Sequence, residues 1–298
     1  THAYQVMSSG STSASADIRA KISAGVGFAN YTAHCSYDGW ADPSFTRANV
    51  ASLTNEDMYP VMIGNCCLSN KFNESDCFGE VITMTPKKGA VAYLGGSNST
   101  LWDEDFYWSV GIKTLAISSA NAQLHTYANT QRGAYDGIWH THSEPYADWY
   151  MTTGAMNFIG NMSVENSASS QNKYYWEIYH IMGDPSLMTY LSKPVALTVN
   201  YNDPVTIGTS SLVVNTEAYA YVAISQNGVL LDAEYSGSGT SVTLNFPAFT
   251  SNGTADIVVT KQNRKPYIGT LTIERPTTAL DAALNTISQP VGTIHISG

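Results

Sequence analysis

The hydrophobic period changes once along this chain, at Pro194, and that change limits the folds open to its 298 residues. Upstream, short apolar runs suited to buried strands alternate with stretches of helical spacing. Downstream, apolar residues recur at every second position. The upstream runs are Val26–Ala33, Met58–Asn65 and Gly89–Leu94, the last ended by Gly95-Gly96. Between and around them, helical spacing covers Ala14–Ala24, Ser44–Leu53 with Ser44 as its cap, and Phe78–Thr85, stopped by Pro86. A βαβαβ order predicts a mostly parallel sheet with helices on both faces. Asp103–Gly111, Tyr146–Gly160 and Gln171–Met182 read as further helices. Beyond Pro194 the strand candidates are Ala196–Asn200, Ser211–Asn215, Tyr219–Gln226, Val229–Tyr235, Ser241–Phe246, Ala255–Lys261 and Tyr267–Ile273. Turn signals such as Asn227-Gly228 and Asn252-Gly253 separate them. The pattern predicts an α/β domain over 1–192, an all-β immunoglobulin-like sandwich over 193–276, and a linker or tail over 277–298. The sandwich region has no Cys or Trp, so it is not of the antibody type.

Charge narrows the function classes. Fourteen Lys and Arg face 24 Asp and Glu, a formal net charge of −10. No basic surface can dominate such a chain, which argues against nucleic-acid binding and adhesion to anionic membranes. Only 13% of residues are charged, so solubility rests on Ser, Thr, Asn, Gly and the 19 Tyr, a texture of exported bacterial proteins. No apolar run approaches the ~18 residues of a membrane span. The chain starts at Thr1 without a signal-peptide pattern, which suggests a processed or truncated product.

The four cysteines, Cys35, Cys66, Cys67 and Cys77, all fall within 43 residues. A disulfide scaffold spreads its cysteines more widely, and zinc-type C-x₂₋₄-C spacing is missing. The clustering therefore suggests a site that uses cysteine as a chemical group. Cys66 and Cys67 follow the second buried run, and His34 follows the first. Parallel-sheet proteins place reactive groups just past the carboxyl ends of their strands. A thiol and an imidazole emerging there can serve as nucleophile and proton carrier. Either cysteine suits that role on spacing alone, and the bland alternative is that both are buried core residues.

The segment Ala29-Asn30-Tyr31-Thr32-Ala33-His34-Cys35-Ser36, followed by Trp40-Ala41-Asp42-Pro43, resembles the histidine segment of the gingipains, secreted cysteine peptidases of the caspase-like clan. Asn65-Cys66-Cys67-Leu68, followed by Asn70-Lys71-Phe72 and Cys77-Phe78-Gly79-Glu80, resembles their nucleophile segment. The separation of 33 between His34 and Cys67 fits as well. Gly183-Asp184-Pro185-Ser186-Leu187 is similar to the motif closing the catalytic domain, and the resemblance runs to about residue 275.

The resemblance implies Cys67 as nucleophile, His34 as general base and acid, and the backbone N–H groups of Cys67 and Cys35 as oxyanion donors. The family has glycine where Cys35 stands, so a side chain there implies strain if the position needs φ > 0. Trp102-Asp103-Glu104-Asp105-Phe106-Tyr107-Trp108-Ser109-Val110-Gly111 resembles the primary pocket of the lysine-specific gingipain. By that match Asp105 binds a substrate lysine, Trp102 walls the pocket, and Thr32 and Asn65 add polar contacts. The plain alternative is that Asp103–Asp105 form the acidic first turn of a helix. The resemblance also implies structural calcium, for which Glu80 and oxygens around Phe72 are candidates. It places the acid that orients the histidine upstream of residue 1, so residues 1–192 read as the C-terminal part of a catalytic domain whose upstream subdomain is a partner. The function implied is a secreted or cell-surface endopeptidase cutting protein or peptide substrates after lysine. An inactive binding or adhesion protein of the same fold is the alternative.

Other candidates stand outside that scheme. His140 and His142, with Glu144 and Asp148 nearby, form half a metal site or an ordinary surface loop. His180 reads as a hydrogen-bonded core residue of the last helix, and His2, His125 and His295 carry no signal.

Overall fold

The three apolar runs and a fourth strand assemble into one four-stranded sheet, buried throughout only at its two central strands. The computed structural model describes residues 6, 13–111, 131–136, 152–190 and 194–275. The chain divides into two compact units, Thr1–Lys193 and Pro194–Gly298. In the first, helix α1 (Ser13–Ser23) leads into β1 (Phe28–Thr32). A small antiparallel sheet follows, built from β2 (Cys35–Ser36), β3 (Gly39–Ala41) and β4 (Ser44–Thr46). Helix α2 (Arg47–Val50) precedes β5 (Val61–Asn65), α3 (Phe78–Met84) precedes β6 (Ala92–Gly96), and α4 spans Trp102–Val110. Helices α5 (Thr153–Asn166) and α6 (Asn172–Ile178) come before β7 (Tyr179–Met182). The sheet order is β1-β5-β6-β7, with β7 alone antiparallel to its neighbour.

Every residue of β5 is buried because both faces of the sheet are covered. Met62 and Cys66 join a core with Ile18, Phe45, Phe78 and Ile82, on the side of α1 to α3. Val61 and Ile63 point the other way, into a core with Trp108, Met156, Tyr175 and Tyr179, on the side of α4 to α6. This period-two sorting decides which face each residue beyond the strand ends will serve.

Two local readings are corrected. Ser44 does not cap a helix over Ser44–Leu53. Ser44–Thr46 pairs with β3, and Thr46 is the cap of the single turn α2, sharing a reciprocal capping box with Asn49. The pairing places Phe45 in the core, opposite Trp40. Gln171–Met182 is not one helix either. It turns into a strand at Tyr179, where pairing with β6 supplies the backbone partners that a further helical turn would have used.

In the second unit β8 (Val195–Ala196) and β16 (Arg264–Lys265) form a short pair. A five-stranded sheet contains β10 (Val205–Thr206), β17 (Tyr267–Glu274), β15 (Gly253–Thr260), β12 (Tyr221–Gln226) and β13 (Val229–Tyr235), in that order. A three-stranded sheet runs β14 (Ser241–Asn245), β11 (Ser211–Asn215), β9 (Asn200–Tyr201). Alternate residues of both sheets, among them Val214, Leu244, Val222, Ile257 and Leu271, share one core. Asn227 and Gly228 both adopt positive φ (53° and 77°), the conformation a two-residue hairpin between β12 and β13 requires.

Candidate active site

Strand register brings the sequence candidates together. Phe28 lies opposite Val61 and Thr32 opposite Asn65, an offset of 33. His34 and Cys67 are separated by the same 33 positions. They therefore sit opposite one another just past the last ladder pair, in phase with Asn65. Both line one cleft with Ala33, Thr100, Trp102 and Asp105. Cys66, one position out of phase, turns to the opposite face and is buried.

The cysteines separate by environment. Cys66 is joined to Cys35 in a disulfide with a Cα–Cα distance of 5.5 Å. The clustering suggests cysteines used as chemical groups at a site, and for this pair the structure corrects that to a structural bridge. Parallel pairing of β1 with β5 sets residues 33 apart opposite one another, so Cys35, three positions past the end of β1, and Cys66, one past the end of β5, come within bonding reach diagonally, which linear spacing does not reveal. Cys67 and Cys77 are free. Cys77 is fully buried at the start of α3, and burial pushes its thiol up to about 11, the state of an unreactive cysteine. Cys67 is half-buried in the cleft, and its Sγ receives the Thr100 N–H at 3.3 Å. Cys35 lies in β2 opposite Trp40 and is not among the residues with positive φ. The strain expected from a side chain in place of glycine is therefore absent.

His34 packs edge to face against Trp102, with ring centroids 5.3 Å apart, and Trp102 is otherwise exposed. Its main chain is held from below, where the Tyr31 hydroxyl donates to the His34 carbonyl at 2.7 Å. That same hydroxyl accepts the N–H groups of Ala41 and Asp42.

Asp105 forms the other end of the cleft. It does sit in an acidic first turn, but Asp105, Trp108 and Ser109 make up the inward stripe of α4. Its carboxylate is 4% exposed. Thr100 Oγ1 donates to Oδ2 at 2.7 Å and the Tyr179 hydroxyl to Oδ1 at 2.6 Å. The Tyr175 hydroxyl lies 2.9 Å from Oδ1 and accepts the Leu101 N–H. Among the described residues no cation pairs with it. Burial raises its pKa to about 6, against the opposing pull of the hydroxyl bonds.

The remaining pocket candidates are placed differently from expectation. Asn65 does not line the cleft. It is buried behind it, donating to the Tyr179 hydroxyl and accepting from Tyr135. Thr32 does not line it either; it is exposed at the end of β1, where its hydroxyl accepts from Asn30. The cause is distance along the strand, not phase: both precede the reacting positions by two residues, on the same face, and reach toward Tyr135. Thr100, Tyr135, Tyr175 and Tyr179 were not anticipated. Only the spacing of Tyr175 and Tyr179, four apart in an aromatic stretch, hinted at a shared direction.

Glu80 spends Oε2 on the Cys77 N–H, closing the capping box of α3. Phe72 is exposed and packs edge to face on His180. Calcium takes six to eight oxygens, typically from several carboxylates. One carboxylate already half engaged does not meet that need, and among the described residues no group of three or more His, Cys, Asp or Glu could hold a metal. His180 lies in β7, not in a helix, and burial lowers its pKa. His2, His125, His140, His142, His295, Glu144, Asp148 and the 277–298 tail lie outside the described residues.

Comparison with known proteins gives the family. Residues 1–190 match Peptidase family C25. The chain is 38% identical to Lys-gingipain of Porphyromonas gingivalis over 258 residues, 83% of this chain and 14% of that protein. Lys-gingipain W83 of the same organism is 36% identical over 266 residues, again 14% of its length. The chain thus spans about one seventh of these relatives. A solved protease structure is 35% identical, with a TM-score of 0.75 over 85% of this chain and 55% of that one. Gingipain R, an Arg-specific cysteine proteinase, superposes at a TM-score of 0.73 with 17% identity, covering 87% of this chain and 56% of its own, a likeness of fold.

Proposed function

The chain belongs to peptidase family C25, and from that premise we propose that it carries the nucleophile, the histidine and the primary pocket of a cysteine endopeptidase that cleaves after lysine. The observation that carries this reading is a buried carboxylate, Asp105, without a cationic partner among the described residues, in the same cleft as Cys67 and His34. A carboxylate held this way is poised for a charge that arrives from outside, and a lysine side chain is long enough to bring one. The names of the matched relatives support lysine as that residue.

In this reading Cys67 Sγ attacks the scissile carbonyl, forming the S–C bond while His34 accepts the thiol proton. The N–H groups of Cys67 and Cys35 receive the developing oxyanion. His34 then protonates the leaving amine, and water releases the acyl group with His34 as base. Trp102 flanks both the imidazole and the entering lysine stem. The substrates are proteins or peptides, and an upstream subdomain completes the histidine's surroundings. The second unit serves as an immunoglobulin-like, non-catalytic support. The Cys35–Cys66 bridge and the sparse charge support a secreted or surface location, where disulfides persist. The net charge of −10 argues against nucleic-acid partners. Among the described residues no helix is long and apolar enough to cross a membrane.

The test compares matched chromogenic peptides ending in lysine, arginine or leucine, with the intact protein and its Cys67→Ala variant. Lysine turnover that disappears in the variant is expected. Arginine preference would overturn the pocket assignment, and turnover that survives Cys67→Ala would overturn the nucleophile.

A further inference from the structure

We propose that the Cys35–Cys66 disulfide is a positioning clasp for the reacting pair, holding His34 opposite Cys67 where the β-ladder no longer does; this rests on the reading of Cys67 and His34 given above. The ladder between β1 and β5 ends at Thr32 and Asn65. His34 and Cys67 lie two positions beyond it. Past that point no strand pairing fixes the distance between the two chain ends. The bridge begins one residue after His34 and ends one residue before Cys67. It therefore closes the gap from the opposite face of the same two segments. Each of its anchors is firm. Cys66 is 1% exposed within the core on the α1–α3 side, and Cys35 pairs with Trp40, itself stacked on Tyr31 at 4.6 Å.

The geometry sorts the four sulfurs by task. One free thiol faces the cleft, two sulfurs are bonded to each other behind it, and Cys77 is a free thiol buried in the core. The site then needs sulfur in two oxidation states at adjacent positions, Cys67 as thiol and Cys66 as disulfide. Asp105 depends on neither anchor. It is held by α4, Thr100 and Tyr179. Loss of the clasp should accordingly degrade proton transfer between Cys67 and His34, leaving the grip on lysine in place.

Peptide mapping of the intact, unreduced protein should recover Cys35 joined to Cys66, with Cys67 alkylated by iodoacetamide. The rate of Cys67 alkylation is then followed against pH in wild type, His34→Ala and the double variant Cys35→Ala/Cys66→Ala, with kcat and KM for a lysine peptide measured alongside. Wild type should react faster than His34→Ala at neutral pH. The double variant should lose about 10- to 100-fold in both alkylation rate and kcat, the scale of a small misplacement of reacting groups, with KM within about twofold. Unchanged circular dichroism separates this from misfolding. If the double variant does not fold, wild type reduced by a dithiol gives the same readout. Each bridge sulfur then gains one electron and one proton, and the dithiol closes to its cyclic disulfide. The clasp is overturned if the double variant matches wild type in rate and kcat, or if mapping finds Cys35 and Cys66 as free thiols. If wild type alkylates no faster than His34→Ala, the Cys–His reading itself has failed, a distinct result that removes the clasp as well.

Discussion

The interiors of the two units follow different rules. In the second unit the core is almost wholly aliphatic and aromatic. Among the described residues its buried polar side chains are Thr216 and Gln262 alone. The first unit buries Asn55, Asn65, Ser69, Asn70, Asp105, Ser109, Asp136 and Asn161, among others. A buried polar group costs about 1–3 kcal/mol unless its hydrogen bonds are replaced. The second unit avoids that cost, as a folding-only core should. The first unit accepts it, and part of that polar set gathers past the carboxyl ends of β1 and β5. There Asn65, Tyr179 and Asp105 form a hydrogen-bonded chain that ends in the cleft. Where a fold departs from apolar packing, and answers the departure with specific partners, is where its chemistry is to be sought.

Asp105→Asn tests that contrast at its largest. Removing the buried charge should lower kcat/KM for lysine peptides by about 10²–10³-fold, because an incoming ammonium would be desolvated without a counter-charge. Stability should move the other way. Burial raises the folded carboxyl to about 6, above its unfolded value of roughly 3.9. Its contribution to folding is therefore full below pH ~4 and is lost as pH rises through about 6. The amide variant escapes that loss, so its melting temperature at pH 7.5 should equal or exceed that of wild type. In wild type, KM for a lysine peptide should climb as pH falls below about 6, since the protonated carboxyl no longer attracts the ammonium. Full lysine turnover by Asp105→Asn, or a flat KM from pH 5 to 8, would break the assignment.

The same contrast explains what could be read before the structure. The apolar runs and their order announced the three parallel strands; β5 and β6 are buried throughout, as strands covered on both faces must be, while β1 at the sheet edge is largely open and not the buried strand its run suggested. In the second unit the longer strands and the Asn227-Gly228 hairpin were legible because β11, β12, β14 and β15 alternate with period two, whereas Ala196–Asn200 is no single strand and the two-residue β10 and β16 gave no pattern to read. Reading failed where tertiary pairing decides. Ser44–Thr46 has a helical look, but Phe45 gains more by packing opposite Trp40 in a hairpin. Tyr179–Met182 continues an aromatic helix in sequence and becomes a strand only because β6 offers it partners. In the site, His34 could be paired with Cys66 or Cys67 because each follows a buried run, and Cys67 was singled out by family resemblance. The Cys35–Cys66 bridge, Thr100, and the hydroxyls of Tyr175 and Tyr179 come from segments whose proximity exists only in three dimensions. Asp105 was indicated by family resemblance, since an acidic first turn alone says nothing about which carboxylate turns inward.

If the second unit is a support and nothing more, damage to it should appear in stability and be silent in turnover. Ile257 is fully buried between the two sheets. Ile257→Ala should cost about 2–5 kcal/mol of folding stability by emptying that space. Lysine-peptide kcat/KM, measured well below the melting transition, should stay within about twofold, and a tenfold loss would mean that the second unit helps to build the site. Glu217→Gln sharpens the same point at a smaller scale. The Glu217 carboxylate accepts from Lys261 Nζ at 2.9 Å and from Arg264 Nε at 3.0 Å. The Arg264 guanidinium holds its carboxyl below the usual range, with Lys261 acting in the same sense. A depressed carboxyl stabilises the fold above its unfolded pKa and loses that effect as pH falls through its folded one. The pair geometry is partly open to solvent, with side-chain exposures of 18% for Lys261, 23% for Glu217 and 30% for Arg264, so screening limits the effect to about 1 kcal/mol or less. Urea midpoints should therefore separate the variant from wild type at pH 7 and converge near pH 3. A gap of equal size at both pH values would mean that Glu217 acts through packing, and that the second unit's few ion pairs add no charge-dependent stability to its apolar core.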